Sequence, residues 1–248
     1  MSATLTRPGA AMHTPYGATE ALPVASISAG EVLEETVTAT RQGAGTCVGR
    51  LFPQMELRII AISDEPLPGW SDVRELPPGE IGEIVVRGPV VTREYFAQPQ
   101  ATALAKIADG GTFWHRMGDV GYLDSHGRLW FCGRKSQRVE TMDGPLFTDQ
   151  IEPVFNTHPQ VFRSALVGVG PRPRQRPVLV VELAEGARWS PALRQELLAL
   201  GATVATTRGV QTILAYPGPL PVDVRHNTKL NREALAVWAS QRIAAVNA

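Results

Sequence analysis

Apolar and polar positions follow different rhythms in the two halves of the chain. In the first half, residues 57–62 (LRIIAI) form a short apolar run rich in β-branched side chains, and residues 79–88 (GEIGEIVVRG) form a second run bounded by glycines. Both read as strands. Between them Pro66, Pro68, Pro77 and Pro78 mark residues 64–79 as a surface loop. Residues 119–133 (DVGYLDSHGRLWFCG) read as two short strands reversed at Asp124-Ser125-His126-Gly127, since Asp and Gly suit a tight turn. The first half is β-rich.

The second half alternates helix and strand. Residues 149–157 (DQIEPVFNT) read as a short helix, and residues 164–169 (SALVGV) and 178–183 (VLVVEL) as strands joined by the loop 171–177 (PRPRQRP). Ser190 as N-cap and Pro191 at the first helical position open a helix to about Leu200, and Gly201 stands where a helix-ending glycine belongs. A strand at 211–215 follows, then a last helix from near Asn231 with Leu235, Trp238, Arg242 and Val246 along one side. That order predicts a small α+β lobe.

Composition narrows the function classes. With 248 residues and 44% hydrophobic positions the chain has room for one large domain or two modest ones. Lys plus Arg and Asp plus Glu both number 24, so no basic stripe for phosphate neutralisation is expected, and no nucleic-acid partner. The longest uncharged stretch, 209–222, contains three prolines and falls short of the ~18 apolar residues of a membrane span, so no transmembrane segment is expected. Residues 1–11 have no apolar core of the signal-peptide kind. Cys47 and Cys132 read as small apolar residues in or near strands, with reduced thiols and a cytoplasmic location as the default. The chain up to Lys135 holds 12 basic and 15 acidic residues and the remainder 12 and 9, a hint of two domains. Only Lys106, Lys135 and Lys229 are lysines, the other 21 basic residues being arginines. Each lysine therefore stands out.

Four short segments carry candidate chemistry. Tyr16-Gly17-Ala18-Thr19-Glu20 joins an aromatic face, a glycine, a hydroxyl and a carboxylate, which suit a base, a phosphate and Mg²⁺. Asp119, on a glycine-flanked turn, has the acceptor-only carboxylate that can take two ribose hydroxyls. Arg134, after Gly133, offers a guanidinium fork for ribose or phosphate oxygens. Lys229 lies on a polar loop before the last helix. Each also reads alone as an ordinary loop, turn or solvated side chain.

Taken in order, these segments resemble the adenylate-forming superfamily of acyl-CoA synthetases, peptide-synthetase adenylation domains and luciferases. The resemblance rests on 16–20 (YGATE), 79–96 (GEIGEIVVRGPVVTREYF), 113–134 (FWHRMGDVGYLDSHGRLWFCGR), the helix and His-Pro at 149–159, and Lys229. It implies a fold of mixed α/β and α+β class: a β-rich C-terminal part of the large AMP-binding domain over 1–136, then a small α+β lid domain over 137–248 that carries the catalytic lysine. Within the superfamily, 12–27 (MHTPYGATEALPVASI) and 223–228 (DVRHNT) resemble the branch that makes β-lactones in olefin biosynthesis. The resemblance implies ATP, AMP and Mg²⁺ as cofactors, a β-hydroxy fatty acid as substrate, and a complex with other enzymes of the pathway as a further partner. It places Tyr16 against the adenine beside Gly17, Thr19 and Glu20 at phosphate and Mg²⁺, Asp119 at the ribose, Arg134 near the hinge, and Lys229 at the carboxylate and bridging oxygens. Thr19, Glu20 and Lys229 are thereby the implied catalytic residues.

Departures from the family pattern favour chemistry without CoA. Gln137 stands where the hinge Asp is expected, Glu140 where a Lys is expected, and Thr228 where a glycine precedes the final lysine. His226, beside Arg225, reads either as a base for the hydroxyl or as a structural histidine. Arg172, Arg174 and Arg176 read as a solvated tip, with contact to a protein partner as the alternative. No phosphate loop of the Ser/Thr/Gly-rich type precedes YGATE, so the expectation is a C-terminal portion of a longer enzyme that does not hold a triphosphate well by itself. Two alternatives stand beside the β-lactone reading: a thioester-forming fatty acyl-CoA synthetase, and a non-catalytic remnant that binds nucleotide or a partner.

Overall fold

The computed structural model describes residues 10–223 and 226–246. The chain divides into two compact units, one comprising residues up to Thr38 with Thr46–Lys135, the other Ala39–Gly45 with residues from Ser136 onward.

The first unit is built on an eight-stranded antiparallel sheet. Its strands are β1 (His13–Ala18), β2 (Ala21–Ser28), β3 (Thr46–Leu51), β4 (Glu56–Ile60), β5 (Gly82–Arg87), β6 (Lys106–Asp109), β7 (Thr112–Leu123) and β8 (Leu129–Arg134). They lie in the order β1-β2-β3-β8-β7-β5-β4, with β6 also paired to β7. Both faces of β5 are covered: Ile84 and Val86 join a cluster with Val24, Leu57, Met117 and Leu129, while Val85 faces Ile60, Ile107 and Trp114. That is why β5 reads as a continuous apolar run. The expected reversal at residues 124–127 is present, where the Asp124 carboxylate accepts from the backbone N–H of His126 at 2.8 Å and of Arg128 at 2.9 Å. Cys47 and Cys132 are buried on β3 and β8.

Three short helices before Lys106 were not legible as apolar periodicity. Helix α1 (Ala29–Glu31) opens with a Ser28/Glu31 capping box and leads through a π-helical turn at Val32–Thr36 into α2 (Val37–Arg41). Farther on, α3 (Pro99–Ala105) starts with Pro99 in its first turn.

The second unit centres on a three-stranded sheet. Its elements are β9 (Val139–Thr141), β10 (Gly144–Leu146), α4 (Thr148–Phe155), β11 (Val161–Val169), β12 (Arg176–Leu183), α5 (Pro191–Thr203), β13 (Thr212–Ala215), β14 (Val222–Asp223), β15 (His226–Leu230) and α6 (Arg232–Val246). Strand β12 runs antiparallel to β11 and parallel to β13. Leu179 and Val181 face α4 and α5 through Ile151, Phe155, Leu193 and Leu197. Val178 and Val180 face Leu235 and Ala239 of α6. Trp238 packs on Tyr216 with ring centroids 4.9 Å apart, and Arg242 lies over Trp238.

Two local expectations, at Gly201 and Lys229, are corrected here. Gly201 does not end its helix: α5 continues to Thr203, and Gly201 is buried where an added Cβ would stand 2.8 Å from the Phe155 ring. The glycine is there for close packing. Arg172, Arg174 and Arg176 are exposed, as a solvated tip requires, and two are also tethered: Arg172 donates to the carbonyls of Ser136 and Arg138, and Arg176 to the Thr212 hydroxyl at 3.0 Å. Lys229 lies in strand β15, not in a loop: Leu230 and His226 pair with Val222 and Asp223 of β14 on either side of it.

Phe155 is fully buried at the centre of the second unit's larger cluster. Phe155→Ala is expected to cost ~3–5 kcal/mol, the range for an aromatic removed from a core, read as a lowered urea midpoint for that unit.

Candidate functional site

The first unit brings Tyr16, Asp119 and Arg134 together. Asp119 was expected on a turn; it lies inside β7, directly opposite Arg134 of β8. Gly118 precedes it with φ +67°, a left-handed conformation that glycine adopts without steric cost, and this kinks the strand at the site. Tyr16 on β1 donates its hydroxyl to Asp119 Oδ2 at 2.6 Å, and Arg134 Nη1 stands 2.9 Å from Oδ1. Asp119 is buried, while the Arg134 side chain is 44% exposed and can reach a ligand. Burial, and after it the neighbouring Asp119 charge, pushes the Tyr16 phenol well above its ordinary value. Tyr16 therefore remains a donor. Its ring is tilted against Phe131 at 6.2 Å between centroids.

Gly17 lies near the end of β1, and Thr19 and Glu20 form the turn to β2. The register slips between Tyr16 and Ala18, and a Cβ on Gly17 would fall 2.4 Å from the Ala21 carbonyl oxygen. Only a glycine allows that closure. Thr19 and Glu20 line a cavity of about 420 Å³ that Tyr95, His115, Met117 and Arg134 also border. Tyr95 donates to Glu20 Oε1 at 2.9 Å. Burial works to raise the Glu20 carboxyl, but the Tyr95 hydrogen bond, a hydrogen bond from its own backbone and the Lys106 charge outweigh it and leave it lowered. The same pairing, after burial, pushes Tyr95 up to about 12. One carboxylate with an oxygen still open suits Mg²⁺, which takes one or two carboxylates and completes its shell with water and phosphate. No group of three or more His, Cys, Asp or Glu side chains that could hold another metal occurs among the described residues.

A buried charge cluster forms the floor of this cavity, and sequence patterning missed it. Glu83 of β5 is 0% exposed and accepts from Arg116 Nε at 2.9 Å, Arg116 Nη2 at 2.7 Å and Lys135 Nζ at 2.9 Å. Arg116 also donates to the carbonyls of Glu65 at 2.8 Å, Leu104 at 3.1 Å and Ser63 at 2.5 Å. The one signal available was the scarcity of lysine. Lys106, likewise outside the expected site, bonds the Thr92 carbonyl and is held by burial at about 8, with the Glu20 charge partly offsetting this. His115, opposite Lys106 in the β6–β7 pairing, is held down to about 4 by burial and then by the Lys106 charge.

Lys229 belongs to the second unit. It is exposed and lines a cavity of about 450 Å³ with Gln137, Arg138, Arg172 and Asp223. Gln137 accepts from Arg232 Nε at 3.1 Å, and Glu140 pairs with Arg138 at 2.5 Å, so the two positions that depart from the family's hinge are tied within the unit. Arg225 and the side chains of His226 and Thr228 lie outside the described residues.

The chain belongs to the adenylate-forming superfamily of AMP-binding enzymes. Residues 2–96 match the family model described as AMP-binding enzyme. Over 235 residues the chain is 58% identical to the olefin β-lactone synthetase of Stenotrophomonas maltophilia, a match that covers 93% of this chain and 42% of that protein. The olefin β-lactone synthetase of Xanthomonas campestris pv. campestris is 55% identical over 236 residues, covering 92% of this chain and 42% of that protein. Among solved structures, the amide bond synthetase McbA from Marinactinospora thermotolerans superposes with a TM-score of 0.72 at 25% identity, over 91% of this chain and 42% of that one. The chain thus spans less than half the length of these relatives.

Two outcomes follow for the cavity. Glu83→Gln leaves the buried Arg116 and the half-buried Lys135 short of their counter-charge and is expected to destabilise the first unit by ~3–5 kcal/mol, measured by denaturant titration. The His115 pKa is lowered from 6.5 to about 4, so the unfolded chain binds the proton first as pH falls. Stability from this group is complete above about pH 6.5 and is lost as pH falls towards 4. His115→Asn should flatten that part of a stability-versus-pH curve, and the ¹⁵N imidazole signals of the folded protein should stay those of neutral histidine down to about pH 4.

Proposed function

We propose that this chain serves ATP-dependent activation of a β-hydroxy fatty acid as its acyl-adenylate, followed by intramolecular closure to a β-lactone. The supporting observation is the Asp119 carboxylate, oriented by Tyr16 and Arg134 beside the cavity that Thr19 and Glu20 line. Asp119 would take the ribose hydroxyls as an acceptor. Tyr16 and Gly17 would border the adenine, and Arg134 would support the nucleotide from the same strand pair. Thr19 and Glu20 would hold phosphate oxygens and Mg²⁺, which neutralises phosphate charge when bound.

In the first step a carboxylate oxygen of the acid attacks the α-phosphorus of ATP and the bond to pyrophosphate breaks. In the second, the substrate's β-hydroxyl oxygen attacks the acyl carbon, its proton is lost to solvent, and the bond to AMP breaks. Ring closure replaces an external thiol by proximity. Lys229 would offset the negative charge that builds as the leaving groups depart. The domain assignment that goes with this reading is the end of the large AMP-binding domain over 1–136 and a lid over 137–248, acting in the cytoplasm. The match to two β-lactone synthetases supports this choice over thioester formation, as do Gln137 and Glu140 at the hinge positions.

Titration calorimetry with AMP tests the nucleotide site. Wild type is expected to bind, and Asp119→Ala to bind about tenfold more weakly or worse, the loss of a charged hydrogen bond being worth ~1.5–3 kcal/mol. No AMP binding by wild type would favour a non-catalytic chain. Mass spectrometry of products from ATP, Mg²⁺ and a β-hydroxy fatty acid tests the reaction: lactone is expected with or without CoA, whereas a CoA thioester and no lactone would overturn the reading.

A further inference from the structure

The cavity wall carries a histidine that the adenylation chemistry leaves unassigned. His115 sits on β7 directly opposite Lys106 of β6, is only 2% exposed, and borders the cavity that contains Glu20 and Arg134. Its Nδ1 faces the Ala105 carbonyl oxygen at 3.2 Å. A carbonyl can only accept, so Nδ1 carries the hydrogen and Nε2 presents a lone pair. Burial, and next the Lys106 charge, keep the ring neutral at physiological pH.

The other polar side chains around the cavity have different work. Arg116 and Lys135 are bound to Glu83, Tyr95 donates to Glu20, and Arg134 pairs with Asp119. A neutral acceptor is the wrong group for a phosphate oxygen, since lone pair would meet lone pair. It is the right group for a hydroxyl hydrogen. On the adenylation reading above, the one hydroxyl that the acid brings into this cavity is its own β-hydroxyl.

We propose that His115 Nε2 accepts the hydrogen bond of the hydroxyl on the bound acid, and thereby selects hydroxy acids over acids of equal length that lack the group. The interaction orients the hydroxyl oxygen towards the acyl carbon. A ring this reluctant to protonate does not remove the proton; it fixes the direction from which the oxygen attacks. Rejection of the deoxy analogue follows because a buried acceptor would be left without a donor.

Two stable adenylate mimics test this: 3-hydroxydecanoyl-sulfamoyl-adenosine and decanoyl-sulfamoyl-adenosine, titrated calorimetrically into the 248-residue chain beside AMP. Wild type is expected to bind the hydroxy compound about tenfold more tightly, as one buried hydrogen bond predicts. His115→Phe should bring the two compounds within about twofold, and His115→Gln, whose amide oxygen still accepts, should restore part of the difference. The His115 ¹⁵Nε2 resonance should shift with the hydroxy compound only. Equal binding by wild type, or a preference that survives in His115→Phe, overturns the proposal while AMP binding keeps the nucleotide reading intact. If neither AMP nor either mimic binds wild type, the adenylation reading fails and this proposal fails with it.

Discussion

The carboxylate of Glu83 is the constraint on which the first unit's site depends. It sits on β5, a strand covered on both faces, where an unpaired charge would cost several kcal/mol. Arg116 and Lys135 meet that cost jointly, one from β7 and one from the residue after β8. Arg116 then uses its remaining donors on the carbonyls of Ser63, Glu65 and Leu104. One buried anion therefore holds the proline-rich loop, the end of α3 and the junction beside Arg134 in fixed relation. The cavity floor is rigid as a result.

Around that floor the two tyrosines, Glu20 and His115 each keep one protonation state near neutral pH. Tyr16 and Tyr95 stay protonated beside carboxylates, Glu20 stays ionised, and His115 stays neutral under burial and the Lys106 charge. Donors and acceptors are thus set before any ligand arrives, which is the preorganisation that electrostatic catalysis requires. The same arrangement separates recognition tasks: carboxylate towards ribose, carboxylate and hydroxyl towards metal and phosphate, neutral imidazole towards a substrate hydroxyl.

The second unit reaches its form by another route. Alternate residues of β12 face opposite helical layers, so a three-stranded sheet is enough to support α4 and α5 on one side and α6 on the other. Its surface chemistry gathers at one end, where Arg232 ties Gln137 and Glu152 and where Lys229 stands exposed on a strand pair.

Much of the architecture was legible in local pattern. The runs at 57–62 and 79–88, the reversal at 124–127 and the Ser190-Pro191 helix start all depend on residues within a few positions of one another, and all recur in the fold with ends shifted by a few residues. YGATE and the segment around Asp119 named the chain's superfamily for the same reason: a motif is local. What could not be read was contact between distant segments. Tyr16 and Asp119 are 103 positions apart, Arg116 and Glu83 are 33, and nothing in either neighbourhood announces the partner. Gly201 looked like a helix end because its need for space arises from the Phe155 ring. Lys229 looked like a loop residue because its strand exists only through β14. Short-range propensity and apolar periodicity thus determined the elements, whereas strand register and burial decided which charges would meet, because a buried charge is stable only where the folded chain brings a counter-charge to it.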